Sequence, residues 1–357
     1  MNTAFQLFFT EFGEEYYESP RNTRRIELLP LDEYDLVIAS VSGGKDSLAE
    51  VLFLLEQGVP PHKIELHHQS IDGEPGTAEP FMDWACTENY VKAMGEAFGM
   101  KVRFQWREGG FKNELLRENR MSLGVGFENE GELFHLPTLN GKISTRKRWP
   151  AKSPNLSVRW CSSSLKISVF ERAINNYPDL KGDLLNQLKV LVLTGERREE
   201  SAARSKYAET ELHPCSTRSR LVHWWRPVID FTEEQVWDLI EKYRITPHPA
   251  YILGWNRTSC FGCIFSSPDL WAMMREIAPD RFDNLVRMEK ELNFTVDAKH
   301  SLEEMAAIGS INRLPKEWRT SKYVKMALEG HFTVDDFFTE KWELPAGAFR
   351  GSVGGSI

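Results

Sequence analysis

The chain has 357 residues, with 52 acidic and 44 basic side chains, for a net charge of −8. Apolar residues make up 41% and charged residues 27%, the balance of a globular chain long enough to bury a substantial core unaided. Net acidity excludes a general basic coat for nucleic acid, no stretch approaches the roughly 20 apolar residues that span a bilayer, and five cysteines do not read as a disulfide framework. The opening "MNTAFQLFFTEFGEEYYESP" lacks the basic start of a secretory signal. These features lead us to expect a cytoplasmic protein with no membrane partner and with thiols free for metal binding or catalysis.

Residues 1–32 form an extension whose aromatics (Phe5, Phe8, Phe9, Tyr16, Tyr17) are expected to pack on the main domain. A strand–helix alternation follows. "DLVIASV" is an apolar run suited to a strand covered on both faces. After a glycine loop, Leu48, Val51, Leu52 and Leu55 repeat with helical spacing, and Gly58 suits the C-terminal cap. "KIELHHQSI" is a second strand ending at Asp72-Gly73. "FMDWACTENYVKAMGEAFGM" reads as a helix and "KVRFQW" as a third strand. Residues 107–158 break the rhythm as a polar, glycine-containing insertion that includes the cation-rich "GKISTRKRWPAKS". "SLKISVFERAINNY" then reads as a helix and "LKVLVLTG" as a strand. "FTEEQVWDLIEKYRI" is a helix with Thr232 as its N-cap.

Strands separated by helices imply an α/β fold with a doubly wound parallel sheet. Nucleotide-binding function is expected of residues 33–267, a helical region of 268–345, and a flexible Gly/Ser-rich tail of 346–357.

The hexapeptide "SGGKDS" at 42–47 lies where the first strand ends and a helix begins. Backbone amides and the helix dipole make such a turn an anion site. Gly43 and Gly44 admit close approach, Ser42 and Ser47 offer hydroxyls, and Lys45 adds a point charge. The common phosphate-loop spacing of four residues before Gly-Lys-[Ser/Thr] is absent. A glycine-rich turn with a surface lysine is the bland alternative. At the end of the "LKVLVLTG" strand, Gly195 is followed by Arg197, Arg198 and Arg204, whose guanidiniums suit phosphate or sulfate. Pairing with Glu196, Glu199 and Glu200 at a salt-bridged helix start is the alternative. In a doubly wound sheet both loops open on one carboxyl edge. Asp72, at the end of the second strand, is placed to meet a ribose or adenine. His67, His68 and His248 read as core or surface residues rather than ligands, and Cys86 as core.

The hexapeptide resembles the pyrophosphate loop of the adenine-nucleotide alpha hydrolase superfamily. With "RWCSSSLK" (159–166), "TGERREESAAR" from Thr194, "WRPVIDFTEEQVWDLI" (225–240) and "HPAYILGWNRTSCFGCIF" (248–265), the chain resembles the phosphoadenosine phosphosulfate reductase family over most of 35–275. It looks most like the phage- and plasmid-borne members and the enzymes of DNA phosphorothioation. That resemblance implies an adenine-nucleotide site at Ser42–Ser47, Gly195, Arg198, Arg204 and Lys166, with Lys45, Asp46 and Arg197 catalytic.

Cys260 and Cys263 form a C-x-x-C that can bind zinc or an iron–sulfur cluster or act as a redox dithiol. In the adenylylsulfate-reducing branch, two adjacent cysteines in the element like "RWCSSSLK" complete a 4Fe-4S set. Here Trp160 stands at the first, so the resemblance carries over only Cys161, Cys260 and Cys263. A cluster with an open iron, a set completed by Cys215 or a histidine with iron–sulfur or zinc, and three small buried residues are the alternatives.

The family resemblance implies two chemistries. Sulfonucleotide reductases attack with a mobile cysteine near the C-terminus, but the last cysteine here is Cys263. A partner thiol or Cys215 would have to replace it. The leading expectation is therefore ATP pyrophosphatase chemistry. ATP adenylates an acceptor with Lys45, the loop amides and Mg²⁺ stabilising pyrophosphate, Asp46 placing Mg²⁺ or the loop, and sulfur then displacing AMP. A cysteine desulfurase or thioredoxin-like protein is the expected sulfur donor. A nucleic acid is the acceptor that the basic insertion 142–152 and a base-stacking Trp149 would favour, with a solvated basic loop as the alternative. A non-catalytic nucleotide sensor is the third reading.

Overall fold

The computed structural model describes residues 26–350; the aromatics expected to pack from the extension, and tail residues 351–357, lie outside the described residues. Its centre is one eight-stranded sheet. In chain order the elements of the first half are β1 (Leu36–Ser40), α1 (Lys45–Glu56), β2 (Ile64–Ser70), α2 (Thr87–Phe98), β3 (Lys101–Arg107), α3 (Gly110–Leu115), β4 (Val125–Asn129) and β5 (Glu132–Leu136). A helix over 160–174, α4, contains a π-helical turn at Ser163–Ile167, and β6 (Leu188–Leu193), β7 (Thr210–Leu212), β8 (Arg220–Trp225) and α5 (Glu233–Lys242) follow.

The strand order is β5-β4-β3-β2-β1-β6-β8-β7. The five central strands run parallel, and β4, β5 and β7 add antiparallel edges. β1 shows why its run is apolar throughout: Val37 and Ala39 enter one core layer while Ile38 enters the other. β6 does the same with Leu191 and Leu193 against Val190 and Val192. A strand buried on both faces cannot alternate polar and apolar residues. Ala39 pairs with Leu66 of β2 on one side and Leu193 of β6 on the other. The chain leaves β1 towards β2 and later returns to β6 on the opposite side. The carboxyl ends of β1 and β6 therefore flank a crevice at the topological switch point.

Three elements differ from the sequence expectation. The helix expected from residue 81 starts at Thr87. The Asp72 carboxylate takes the backbone N–H groups of Phe81, Met82 and Asp83 at 2.8–3.0 Å and holds that stretch as a turn. The insertion 107–158 is not wholly irregular: it carries α3 and the β4–β5 hairpin, which extends the sheet next to β3. β7 and β8 were not anticipated, because "RLVHWW" shows neither strict alternation nor a continuous apolar run. The Thr232 cap is present, with Thr232 Oγ1 accepting from Gln235 N at 3.2 Å and Gln235 Oε1 accepting from Thr232 N at 2.8 Å.

The C-terminal region supplies α6 (Pro249–Ile252), α7 (Pro268–Ile277), α8 (Pro279–Leu292), α9 (Leu302–Ile308) and α10 (Lys322–Glu329). Ser267, Ser301 and Ser321 cap α7, α9 and α10 through their hydroxyls. Trp271, Leu285, Leu302 and Met326 join the same core layer as α1 and α2, so these helices cover one face of the sheet rather than standing apart. The other face is closed by α4 through Phe170, Ala173 and Ile174. No helix among the described residues is long and apolar enough to cross a membrane.

Candidate nucleotide-binding site

At the switch point the loops after β1 and β6 open into a cavity of about 770 Å³. Gly43 takes φ +74°, a left-handed conformation that turns the chain from β1 into α1. Gly44 is the N-cap residue of α1 and has no side chain to satisfy the first amides. The loop braces itself instead. Ser47 Oγ donates to Gly44 O at 3.0 Å and accepts from Ser42 N at 3.2 Å. Lys45 N donates to the Tyr251 hydroxyl at 3.1 Å. Ser42, Gly44, Lys45, Asp46 and Ser47 all line the cavity; Gly43 does not, and serves the turn alone.

Asp46 is the hub. Its carboxylate receives Lys45 Nζ at 3.0 Å and Arg197 Nε at 2.6 Å. Arg197, 3% exposed, also donates to Glu199 and to the Phe231 carbonyl at 3.2 Å. Burial alone would raise the Asp46 carboxyl, but Lys45 and Arg197 together hold it below the ordinary carboxylate value. Burial likewise acts to lower the Lys45 ammonium, and the charge of Asp46 outweighs it, so Lys45 stays protonated. Two cations are thus held charged and nearly dry at the crevice floor. Gly195 permits this closeness: a Cβ there would lie 2.7 Å from the Asp46 carbonyl and 2.9 Å from Ser47 N. Any side chain would push the two loops apart.

The other expected residues divide. Gly195, Arg204 and Lys166 line the cavity, Arg204 in an ion pair with Glu200. Arg198 does not; it pairs with Asp230 and donates to Tyr207 O at 3.0 Å. The salt-bridged alternative therefore describes the arginine run, with Arg198 on Asp230 rather than on a neighbouring glutamate, and two of the three, Arg197 and Arg204, face the cavity. Asp72 is corrected outright, since its carboxylate is occupied by three backbone amides and is not part of the cavity wall. His68 Nδ1 faces Val41 O at 2.8 Å, and His248 Nδ1 caps Ala250 N at 3.2 Å. Burial keeps these imidazoles neutral, with pKa values lowered to about 4 and about 3.

Sequence reasoning missed Asp83, Glu233, Tyr251 and the wall 256–259, and named Glu196 only as a partner for the arginines; all line the cavity. Tyr251 and 256–259 lay within a quoted motif but showed no charge or spacing that assigned them a role. Asp83 is pushed up to about 7 by burial and then by the neighbouring Asp72 charge. One turn beyond Asp46, Glu50 is fully buried with neither carboxylate oxygen hydrogen-bonded. Burial, then Glu196 and Asp46, push its carboxyl well above the ordinary range, so it is a neutral acid.

The cysteines do not assemble as a metal site. Cys260 and Cys263 act on each other, an interaction that holds the Cys263 thiol down at about 5 and raises that of Cys260. Cys161 neighbours Cys263 closely enough to feel its charge. Yet among the described residues no three His, Cys, Asp or Glu side chains form a group that could hold a metal ion. Cys215 packs in the opposite core layer with Phe170 and Val222, so it is not a fourth ligand. This donor set fits neither a 4Fe-4S cluster nor zinc. Cys86 is core, as expected.

The basic insertion is largely neutralised. Arg146 pairs with buried Glu114 and lies over the Trp160 ring, Lys147 pairs with Glu118, and Lys152 pairs with Asp297. Trp149, expected to stack on a base, is 2% exposed and packs against Phe111. Its apolar bulk was more stable in the core than at the surface.

Fold and cavity define an α/β protein with a cavity at the sheet's switch point, the place where such sheets bind their ligands. Residues 138–266 match the family model described as "Phosphoadenosine phosphosulfate reductase domain", over about a third of the chain. The match includes the 194–204 loop and the C-x-x-C but not the 42–47 loop. A protein of Escherichia phage 186, "Uncharacterized 37.8 kDa protein in gpa 5'region", is 27% identical over 242 residues, covering 65% of this chain and 68% of that one. Two structures of Candida glabrata FMN adenylyltransferase are similar at low scores. With FMN and the ATP analogue AMPCPP, the TM-score is 0.33 at 9% identity, covering 63% of this chain and 54%, about half, of that one. With FAD and inorganic pyrophosphate, it is 0.36 at 11% identity, covering 91% and 83%.

Proposed function

We propose that the chain binds ATP in this cavity and cleaves it between the α and β phosphates. An acceptor oxygen attacks the α phosphorus, forming an acceptor–AMP ester, and pyrophosphate leaves. A sulfur nucleophile then displaces AMP, which departs with the acceptor's oxygen, and the acceptor is left thiolated. The observation that carries this reading is the Lys45–Asp46–Arg197 arrangement: two cations from two loops, joined by one carboxylate, at the amino end of α1. Charge that is fixed and desolvated before the substrate arrives is what stabilises a departing polyanion.

Mg²⁺ would enter with the phosphates and supply further charge neutralisation. Asp46 is the loop's own oxygen donor for it. Both Asp46 oxygens already hold a cation, so Lys45 or Arg197 would have to move aside. Sulfide gives the thiolated acceptor directly; a persulfide from a cysteine desulfurase or thioredoxin-like donor first gives an acceptor–S–S–donor disulfide, which a donor thiol cleaves to release the thiolated acceptor and leave the donor as a disulfide. The resemblance to the phosphorothioation enzymes supports a nucleic acid as acceptor.

Product analysis with ATP, Mg²⁺, sulfide and nucleic acid tests the reading. AMP and pyrophosphate are expected, and Lys45→Ala should slow their formation by about 100-fold or more with the fold intact by circular dichroism. Formation of ADP and phosphate instead would overturn it. The matched domain's description favours a second reading, reduction of a sulfonucleotide. No cysteine is among the residues lining the cavity, so a partner would have to bring the thiol. Thioredoxin-dependent release of sulfite, without AMP formation from ATP, would replace the first reading by the second.

A further inference from the structure

We infer that the end of the cavity at the carboxyl ends of β6 and β8 is a nucleobase subsite. His213 Nε2 donates a hydrogen bond to the base, the Glu171 carboxylate accepts one from it, and Phe170 and Trp224 supply aromatic surface. The subsite deepens the ATP reading, on which it rests for the presence of a nucleotide. His213 lines the cavity and is 5% exposed. Its Nδ1 accepts from Cys215 N at 3.1 Å. A backbone N–H can only donate, so Nδ1 carries the lone pair and the proton of the neutral ring is on Nε2. Burial first, then the charges of Arg220 and Arg226, hold the ring neutral, with its pKa lowered to about 4. No group among the described residues accepts from Nε2. A nearly buried donor with no protein partner, on a cavity wall, is a place for a ligand acceptor.

Glu171 is the complementary acceptor. It lines the cavity, and its backbone carbonyl accepts from Cys215 Sγ at 4.0 Å, which sets it beside the 213–215 turn. Its carboxylate has no hydrogen bond or ion pair among the described residues. The Phe170 and Trp224 rings lie 5.8 and 5.3 Å from the imidazole. Trp224 is pinned: its Nε1 donates to Thr194 Oγ1 at 2.6 Å, and the Arg226 guanidinium lies 4.0 Å from its ring. Val192 and Pro214 complete an apolar lining. A base has a π-face for such rings and an edge that sets an acceptor beside a donor. The reach also fits. The strand order puts β8 two places from β1, roughly 10 Å at about 4.8 Å per strand. Ribose and the α phosphate join a base at Trp224 to phosphates at 42–47 across that gap. The opposite end of the cavity is less free. There the Asp72 carboxylate is filled by backbone amides, and Gln69 Nε2 donates to Gln105 at 3.1 Å. ATP's adenine and a base of the acceptor share this chemistry, and the test separates them.

The test photolabels the whole purified chain with 2-azidoadenosine, which has a base and ribose but no phosphate, and maps the label by peptide mass spectrometry. Label within 168–172, 190–194 or 213–225 is expected, and excess adenosine should suppress it. Label confined to 68–83 or 256–265, or no label that adenosine suppresses, would overturn the inference. Adenosine affinity is then measured by saturation-transfer NMR. His213→Phe keeps a ring but loses the donor, and Glu171→Ala removes a carboxylate that supports no contact of the fold. Each should weaken adenosine binding by about 5-fold or more. Unchanged affinity in both would also overturn the inference. If His213→Phe aggregates, Glu171→Ala and the label map decide. Saturating AMPCPP separates the two sources: label that it abolishes assigns the subsite to ATP's own adenine, and label that persists assigns it to a base of the acceptor. Adenosine carries no phosphate, so the label reports on this subsite whether or not ATP is cleaved between the α and β phosphates.

Discussion

Two walls of one cavity are built on opposite principles. The wall from 42–47 and 195–204 is charged, and its cations are engaged: Lys45 and Arg197 on Asp46, and Arg204 on Glu200. The wall from 256–259 offers an amide, hydroxyls and Arg257, and keeps its two thiols behind it. Charge at the first wall costs desolvation, so each cation is matched by a carboxylate even before a polyanion arrives. At the second wall Arg257 is held differently, by the Ser259 hydroxyl at 3.0 Å and the face of the Phe265 ring. The comparison teaches that the first wall concentrates fixed, matched charge while the second mainly shapes the space beside it.

The comparison breaks first at Arg197. Arg197→Ala removes one side of a buried pair and should cost about 3–5 kcal/mol, read as a lower urea midpoint with unchanged slope. A loss below about 1 kcal/mol would mean that Asp46 needs only Lys45. Gly195→Ala places a methyl against the Asp46 backbone and should cost about 1–3 kcal/mol while weakening ATP affinity, measured by calorimetry. Glu50→Gln sharpens the electrostatics. The Glu50 carboxyl is raised in the folded state, so the native protein binds more protons than the unfolded chain. Stability from this group is full below its ordinary value of 4.5 and falls as pH rises through the folded value. The glutamine variant should flatten that decline and be about 1–2 kcal/mol more stable at pH 8, seen in paired melts at pH 5 and pH 8. Thr258→Val tests the second wall. It keeps the shape but loses the hydrogen bond to Tyr251. The expected cost is about 0.5–1.5 kcal/mol in stability with little change in ATP affinity.

Legibility in the sequence followed the range of the interactions. The 42–47 loop, α1, β6 and the Thr232 cap were readable because each depends on neighbours within one or two turns of chain. Asp72 was misread because its partners, three backbone amides at 81–83, are created by the fold and have no sequence signature. Arg198 was misassigned for the same reason: which member of an arginine run faces a cavity depends on where Asp230 is brought. Trp149 looked like a surface aromatic among cations, but Glu114, Glu118 and Asp297 neutralise those cations from distant segments and let the indole bury. Cys215 sat in an unconstrained loop until the sheet placed it in the layer opposite the other candidate ligands.

The sequence by itself determined the parallel α/β plan, the phosphate-type loop after β1 and the arginine-bearing loop after β6, since apolar periodicity and glycine placement are local properties. Only the tertiary structure decided that Asp46 joins Lys45 to Arg197, that Glu50 is a buried neutral acid, and that Cys215 lies in the core layer opposite Cys263. Each of these depends on segments far apart in sequence being packed together in a dry interior, where pairing and burial set the charge.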